Sequence, residues 1–393
     1  MRQHSLTLVF CALCCVFLTT GCWDMRELNT RALVISSAID VSDNGLVVLT
    51  DQFANPSALG HNLEKPADRF FTMSETGKTV LQAAQVLQTR LPRYIFIGHR
   101  RNIFIGQATA EHGLQEILDE FTRAPDSRIR TDLSIVKGAR GSDVLKIPSQ
   151  VEKLPSIAAL KSRTVVGGGQ PGSTFVDFLM SASSKTSCPT LPLVEIQSRP
   201  DDYASEIGDE QLRFAGRAVF DKHLHMVGTI NYMETVYRFW EVGSLTHQTL
   251  AVSIPKTDQY VSVYVNHLKS KLVPKLQNRH LTVSVYLSGD GRIGENNAKL
   301  DLMKEASRLQ VQTALDNQIA SDVSRLIRRV QNEYHTDIFR FDRACQMRYP
   351  LLFPRLSDAW PEIFSNATVH VYVDVHIKTV GEAGLPLHQH VEM

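Results

Sequence analysis

The sequence predicts a multidomain α+β protein with mixed and antiparallel β-sheets flanked by helices. Short strand-like runs alternate with amphipathic helical stretches through the first 200 residues. Residues 368–378 alternate valine or isoleucine with polar side chains, over a length well beyond the usual strand of about 5–6 residues. The longest helical pattern, residues 300–334, comes shortly before that strand. We therefore expect an elongated C-terminal sheet with one long helix laid across it.

The N-terminus has the pattern of a secreted lipoprotein. Arg2 precedes an apolar run at residues 6–18, and two threonines and Gly21 lead to Cys22. This is a signal peptide that ends at a lipobox-like site, because the apolar run is shorter than the about 20 residues that span a membrane. We predict that residues 1–21 are removed and that Cys22 carries the lipid. An ordinary cleaved signal peptide, with Cys22 merely near the cut, is the alternative.

The fold resumes soon after the predicted anchor. Strand-like runs at residues 32–40 and 46–53 flank an Asn-Gly turn, which predicts a hairpin. The chain between anchor and hairpin is too short for a long flexible stalk. Trp23, Asp24 and Glu27 are therefore candidates for contacts near the membrane surface, although a purely structural N-terminal clasp is equally consistent with the pattern.

Residues 22–200 are predicted to form an N-terminal α+β region with room for two subdomains. Glycine-rich residues 167–172 resemble a phosphate-binding loop, but Ser173 occupies the position where that loop needs lysine. We interpret them as a loop before a capped helix at residues 174–181. The other predicted elements are helices at 79–91 and 111–121 and strands at 94–98, 102–106 and 128–136.

Residues 201–210 are predicted to be a linker, because residues 198–210 are rich in Asp, Glu, Ser, Pro and Gly and lack apolar periodicity. Residues 211–393 then form a C-terminal α+β domain. Its long helix has an apolar stripe that includes Leu309, Leu315 and Ile319. Its other predicted elements are strands at 214–220, 225–230, 250–254, 260–265 and 281–287 and a helix at 233–242.

Three glycines after the 281–287 strand match a dinucleotide-binding pattern. Gly289, Gly291 and Gly294 have the GxGxxG spacing. The helix that follows is too long for a compact βαβ unit of about 30 residues, and no second strand-like run follows within that length. We interpret these glycines as turns and expect no bound cofactor.

Composition and motifs argue against several classes of function. With 42 basic and 41 acidic residues the net charge is +1, so no strong field indicates binding of nucleic acid. We find no nucleophile motif, carboxylate pair or metal-binding set, and expect no enzyme activity. The histidine pairs are interpreted as solvated side chains, because a metal site needs three or four ligands. These pairs are His223/His225, His370/His376 and His388/His390.

Two cysteines remain once those in the signal peptide and Cys22 are set aside. Cys188 and Cys345 could form one disulfide or remain as two thiols, and no CxxC or Cys/His spacing supports a metal site. We favour free, mostly buried thiols.

The chain resembles the Ger(x)C spore germination lipoproteins, the C subunits of nutrient germinant receptors in spore-forming Gram-positive bacteria. The resemblance runs through nearly the whole sequence. In the first half it rests on Gly21 to Asp24, Glu27, Leu28, Asn55, Pro56, Gly98 to Arg100, Ala110, Glu111, Gly113, Asp177 to Leu179, Leu191 and Pro192. In the second half it rests on Gly216, Ala218 to Phe220, Val227, Gly228, Glu234, Thr235, Gln331, Asp337 to Phe339, Trp360, Phe364 and the final strand to Gly381.

This resemblance implies a non-enzymatic lipoprotein on the outer face of the inner spore membrane. It also implies assembly with an A subunit and a multi-spanning B subunit in a receptor triggered by nutrients, and whether this subunit touches the nutrient stays open. Arg340 and Asp342 stand where the family pattern favours small residues, and Cys345 is unusual nearby. These departures concern the conformation of the turn after Phe339.

Two other functions share the predicted anchor. A solute-binding lipoprotein of a transporter would show two α/β lobes with repeated βαβ units and a cleft, and the alternating strands argue against it. A lipid-anchored hydrolase would need a nucleophile motif that we do not find.

Overall fold

Two β-sheets organise the part of the chain that the computed structural model describes, residues 30–55, 70–123, 131–147, 174–198, 210–255, 259–277 and 280–381. We call the nine-stranded sheet with its helices the first half, and the four-stranded sheet with its helices the second half. The mixed α+β architecture agrees with the fold class predicted from the sequence.

The first sheet has the order β3-β2-β1-β5-β6-β7-β8-β9, with β4 beside β1. Its strands are β1 Arg31–Val41, β2 Val47–Ala54, β3 Phe70–Gly77, β4 Tyr94–Phe96, β5 Asn102–Gly106, β6 Asp132–Val136, β7 Thr190–Ser198, β8 Glu210–Phe220 and β9 Met226–Asn231. The predicted hairpin is confirmed as β1 and β2, which pair antiparallel. The centre, from β1 through β5 and β6 to β7, is parallel, and β7, β8 and β9 are antiparallel.

Short helices connect these strands. They are α1 Val80–Gln88, α2 Gln107–His112, α3 Gln115–Arg123, α4 Gly141–Val144 and α5 Phe175–Ala182. Thr79 begins α1 by accepting a hydrogen bond from the Gln82 backbone N–H at 3.2 Å, and Thr174 begins α5 in the same way.

The single helix predicted at residues 111–121 is wrong, because the chain breaks between α2 and α3 at Gly113. This glycine has a φ of 118°, and a Cβ there would lie 2.9 Å from the imidazole of His225. Both the backbone angle and the close approach require glycine. The helical spacing of apolar residues in α3 already begins at Leu114, next to the break. The predicted helix was therefore extended across Gly113.

The predicted linker at residues 201–210 does not separate two sheets. β7 and β8 flank that segment and pair antiparallel from Thr190–Val219 to Ser198–Glu210. A polar composition marks a connection without showing whether the strands on either side pair. β8 in fact serves both halves: Ala218 belongs to the core of the first half, whereas Val219, on the opposite face, belongs to the core of the second.

The second sheet has the order β10-β11-β12-β13, with the last pair parallel and the others antiparallel. Its strands are β10 His247–Ile254, β11 Gln259–Gln277, β12 His280–Asn296 and β13 Thr368–Thr379. Its helices are α6 Tyr232–Glu241, α7 Glu305–Arg329 with a π turn at Val330–Tyr334, α8 Phe341–Arg348 and α9 Trp360–Ser365, and 3₁₀ turns lie at Phe353–Arg355 and Ser357–Ala359. The predicted elongated sheet and long helix are confirmed.

The turns predicted at the GxGxxG pattern are wrong, because all three glycines lie inside β12. Gly291 pairs with Val265 of β11 and with Ile377 of β13. A Cβ at Gly289 would lie 2.8 Å from the Leu268 side chain. Here glycine leaves room for packed apolar side chains within a strand.

The long helix α7 covers the second sheet and contacts both of its edge strands. Leu315 and Ile319 are fully buried, whereas Leu309, which we placed on the same stripe, is 60% exposed. At one edge, the Asp316 carboxylate accepts the Val375 backbone N–H of β13 at 3.0 Å. At the other, the Gln318 amide donates to the Ala251 carbonyl of β10 at 3.1 Å. One helix thus satisfies backbone groups that edge strands leave open.

Candidate functional site at the junction of the two halves

The residues singled out near the anchor lie outside the described part of the structure. Cys22, Trp23, Asp24 and Glu27 all precede residue 30, so the roles assigned to them stay predictions. The glycine-rich segment 167–172 and the pair His388/His390 also fall outside it. None of the helices in the described ranges has the length and apolar character needed to span a membrane.

A buried polar cluster joins the two halves where the chain before β7 meets the chain between α7 and α8. Ser187 and Asp337 form a parallel β-bridge. The Cys188 backbone N–H donates to the Asp337 carbonyl at 3.3 Å. Segments about 150 residues apart in sequence are thereby held together by their main chains.

The side chain of Asp337 organises the turn that begins α8. Its carboxylate accepts the backbone N–H groups of Phe339 at 2.9 Å, Phe341 at 3.3 Å and Asp342 at 2.8 Å, and the indole N–H of Trp360 at 3.2 Å. Burial and the negative charge of Asp342 raise the pKa of Asp337 to about 7, although the backbone donors favour its ionised form. With four donors on two oxygens, this carboxylate is a structural acceptor.

Asp342 connects that turn to the first half. One of its carboxylate oxygens accepts the Thr186 hydroxyl at 2.7 Å and the Ser187 hydroxyl at 2.5 Å. Asp342 is 5% exposed, so these charge-assisted hydrogen bonds are shielded from water. The residue that departs from the family pattern is therefore one that fastens the two halves.

Arg340, the other departure in this turn, adopts a left-handed backbone conformation with a φ of 62°. Glycine and asparagine tolerate this region best, which explains why a small residue was expected at this position. The conformation is nevertheless kept, because Asp337 holds the backbone N–H groups on both sides of Arg340. The turn is retained, and Arg340 is accommodated with an exposed side chain.

Two further arginines line the junction. Arg217, 1% exposed on β8, donates from Nε to the Thr190 hydroxyl at 2.8 Å and from Nη2 to the Thr190 carbonyl at 2.7 Å. Arg238 of α6 donates from Nε to the Ile338 carbonyl at 2.9 Å. Burial and the nearby positive charge of Arg340 lower the pKa of Arg238 to about 10. Arginine from each half thus reaches neutral oxygens at the junction.

Glu241, at the end of α6, is a buried acid beside this cluster. It is 2% exposed, and neither carboxylate oxygen has a hydrogen-bond partner among the described residues. Burial and the negative charge of Asp337 raise its pKa well above the ordinary value, against the opposing effect of Arg238 and Arg340. Glu241 could not be identified from the sequence, because its position in an amphipathic helix gives no sign of such deep burial.

Cys188 and Cys345 lie near the same cluster and are free thiols, as predicted. Cys345 is buried in α8 and Cys188 is half-buried before β7. Burial and the charge of Asp337 raise the pKa of both thiols to about 12. Both are therefore protonated at neutral pH and poor nucleophiles.

No group of three or more histidine, cysteine, aspartate or glutamate side chains is placed to hold a metal ion within the described ranges. His370 and His376 lie on the exposed face of β13, and His225 packs against Gly113. The residues that meet at the junction do not belong to any local sequence motif. The sequence had drawn attention to Asp337, Arg340, Asp342, Cys188, Cys345 and Trp360, but not to Thr186, Ser187, Arg217 or Glu241.

Two family models match the chain in tandem. Residues 24–196 match the model described as "Spore germination protein N-terminal domain". Residues 215–381 match the model described as "Spore germination B3/ GerAC like, C-terminal". The chain belongs to the Ger(x)C family of spore germination proteins. The two Ger(x)C models meet between residues 196 and 215, the interval that contains the polar segment between β7 and β8.

Curated Ger(x)C relatives match along nearly their whole length. In Bacillus subtilis (strain 168), spore germination protein KC is 22% identical over 389 residues, covering 95% of each chain. Spore germination protein YndF from the same organism is 23% identical over 409 residues, covering 97% of each chain. A solved structure, "Crystal Structure of the GerBC protein", aligns with a TM-score of 0.58 at 15% identity and covers 90% of this chain and 100% of that one. At that identity the structural likeness establishes the shared fold.

Proposed function

We propose that this Ger(x)C protein is a membrane-anchored lipoprotein subunit of a spore nutrient germinant receptor, working by assembly with membrane A and B subunits and not by catalysis. The observation that carries the proposal is the tandem match to both spore germination models over most of the chain. Relatives named as spore germination proteins A3 and B3 support the receptor role.

The chemistry of the junction supports a non-catalytic role. Asp337 and Asp342 use their carboxylates to accept backbone, indole and hydroxyl donors of the protein itself. Both nearby thiols are protonated, because burial raises their pKa to about 12. These groups hold the fold together, and we assign the protein's action to its surfaces.

The lipobox-like sequence that ends at Cys22 supports a lipid anchor. A diacylglyceryl group supplies two acyl chains, each buried CH₂ contributes about 0.8 kcal/mol, and two chains hold a protein firmly where one is marginal. We expect Cys22→Ala to abolish labelling of the chain by a radioactive or clickable fatty acid and to release it from the membrane fraction. Cys345→Ala is the control and should keep both. A Cys22→Ala chain that retains its lipid label would overturn the anchor assignment.

Germination assays test the receptor role directly. Spores that lack this chain, in a strain with no paralogue, should fail to germinate with a nutrient and should still germinate with a non-nutrient trigger. Unchanged nutrient germination would contradict the proposal. Loss of both responses would also contradict it, since the defect would then lie outside nutrient sensing.

A solute-binding lipoprotein is not favoured by the architecture. Such a protein has two similar α/β lobes, whereas the second half here is built on the long antiparallel ribbon of β11 and β12, which pair from Val261–Asn296 to Gln277–His280. The same deletion separates the two functions, because loss of solute uptake with normal germination would favour the transporter.

A further inference from the structure

A cavity of about 260 Å³ lies at the junction of the two halves. One wall comes from α5 and the chain that leads into β7, and another from Arg217 of β8. The other walls come from α6 and from the turn at residues 337–343. Drug-sized ligands occupy pockets of about 300–1,000 Å³, so this cavity suits a smaller molecule.

The charged side chains that line the cavity are four arginines and two aspartates, namely Arg217, Arg238, Arg340, Arg343, Asp177 and Asp337. Both aspartates are already engaged within the protein. Asp337 accepts four donors, and Asp177 accepts the Thr174 hydroxyl at 2.6 Å. Among the side chains that line the cavity, the four positive charges thus outnumber the two negative ones, and both acids already accept hydrogen bonds from the protein.

The arginines divide into a deep pair and a rim pair. Arg217 and Arg238 lie deep and donate to neutral oxygens of Thr190 and Ile338. Arg340 and Arg343 are exposed at the rim, and in the described ranges neither forms an ion pair with a carboxylate. The exposed guanidinium groups of Arg340 and Arg343 are therefore available to an anionic ligand at the rim of the cavity.

The remaining polar lining consists of hydroxyl groups. Ser181, Ser184, Ser187, Thr190 and Ser244 all border the cavity. The hydroxyls of Ser181 and Ser187 already donate to the Asp177 carbonyl and the Asp342 carboxylate, whereas the Thr190 hydroxyl accepts from Arg217 and can donate its own proton to an oxyanion. The planar guanidinium of arginine donates two parallel hydrogen bonds to a carboxylate or phosphate group. Phe178 and Phe239 add apolar surface at the same cavity, which favours an organic ligand with a short carbon skeleton.

We propose that this cavity binds a small molecule bearing a carboxylate or phosphate group, held by Arg217 and Arg238 in its depth and by Arg340 and Arg343 at its rim. Because its walls belong to both halves of the chain, the ligand fastens them together alongside the hydrogen bonds of Asp342. Binding therefore stabilises the folded protein, and the stabilisation grows with the logarithm of ligand concentration above Kd. This inference goes beyond the receptor role and does not depend on it.

Isothermal titration of the full mature chain in detergent micelles tests the proposal, with inorganic phosphate and succinate as separate probes at constant ionic strength. Arg340→Gln and Arg343→Gln each remove one rim charge from an exposed position. Arg348→Gln is the matched control, because Arg348 is an exposed arginine at the end of α8 that does not line the cavity. We expect saturable binding of at least one probe, weakened about tenfold by either rim variant and less than twofold by the control.

The two probes distinguish the ligand chemistries. Tight binding of phosphate alone assigns a phosphate ligand, and tight binding of succinate alone assigns a carboxylate ligand. The proposal is overturned if neither probe binds saturably below about 10 mM, or if Arg348→Gln weakens binding as much as the rim variants, since that result indicates general charge attraction. Thermal melting of each variant without ligand verifies that the rim substitutions leave the fold intact.

Discussion

Two contacts hold this protein together in different ways: α7 packs on the second sheet through apolar side chains, whereas the turn at residues 337–342 is fastened to the chain before β7 by buried charged and polar groups. On α7, Leu315 and Ile319 are fully buried. At the junction, the contact depends instead on the carboxylates of Asp337 and Asp342, which accept hydrogen bonds. Apolar packing depends on area and shape, whereas buried carboxylates depend on specific donors. We therefore expect the first contact to tolerate small changes and the second to be sensitive to single atoms and to pH.

A charge inside the apolar contact should have the largest effect. Leu315→Asp buries an unpaired carboxylate at a fully buried position, and we expect loss of more than about 4 kcal/mol of unfolding free energy, enough to unfold the second half. Leu309→Asp on the same helix is the matched control, because Leu309 is 60% exposed and should change stability by less than about 0.5 kcal/mol. Circular dichroism during urea unfolding measures both, and equal effects would contradict the orientation of α7.

Removal of the central acceptor should weaken the junction nearly as much. Asp337→Ala leaves three backbone N–H groups and the Trp360 indole without their acceptor, and we expect a cost of about 3–5 kcal/mol. Asp358→Ala, at an exposed aspartate in the chain between α8 and α9, is the control and should be nearly neutral. A loss below about 1 kcal/mol for Asp337→Ala would show that water or other groups replace the carboxylate.

The junction should also make stability depend on pH. Burial raises the pKa of Asp337 from 3.8 to about 7 and that of Glu241 well above 4.5, with Asp342, Arg238 and Arg340 as the neighbouring charges. Between those ordinary values and about pH 7, the folded chain holds protons that the unfolded chain has released. Stability therefore falls as pH rises through that window.

Glu241→Gln isolates the contribution of one group. Glutamine keeps the shape without a charge, so we expect the variant to be more stable than the parent at pH 8, by about 1 kcal/mol or more, and its stability to vary less with pH. Urea unfolding at pH 5, 6, 7 and 8 measures the difference. A variant that is less stable than the parent at pH 8 would mean that the ionised Glu241 carboxylate stabilises the folded protein, which would contradict this prediction.

The smallest effect should come from the strained turn. Arg340→Gly relieves a left-handed residue whose φ is 62°, and we expect a gain of up to about 1 kcal/mol. Arg343→Gly, which places glycine inside α8, should instead cost about 1 kcal/mol. If both variants lose stability equally, the backbone of Arg340 is not under strain.

The elements built on apolar packing could be predicted from the sequence, but not in every detail. Apolar periodicity located α7, β13 and the first hairpin, because one buried face repeats at a fixed spacing. It failed at Leu309 and at Gly113, where solvent exposure and a positive φ interrupt the pattern. It also could not show that β7 and β8 pair across residues 201–210, since composition carries no information about pairing.

The junction was largely beyond such prediction. Thr186 and Asp342 meet from positions 156 residues apart, and neither stands in a motif. Arg340 and Asp342 were visible in the sequence only as departures from the family pattern. Their roles in the turn and in the contact between the halves could not be predicted. A contact between single polar residues leaves no periodicity, so three-dimensional structure was needed to find it.

Complementation of spores that lack this chain tests the central claim, an anchored receptor subunit, most directly. The measurement is the rate of nutrient-triggered germination in deletion spores that express either the parent chain or Cys22→Ala at equal levels. We predict that the parent restores germination and that Cys22→Ala does not, while both respond to a non-nutrient trigger. Full restoration by Cys22→Ala, or no restoration by the parent, would contradict the account.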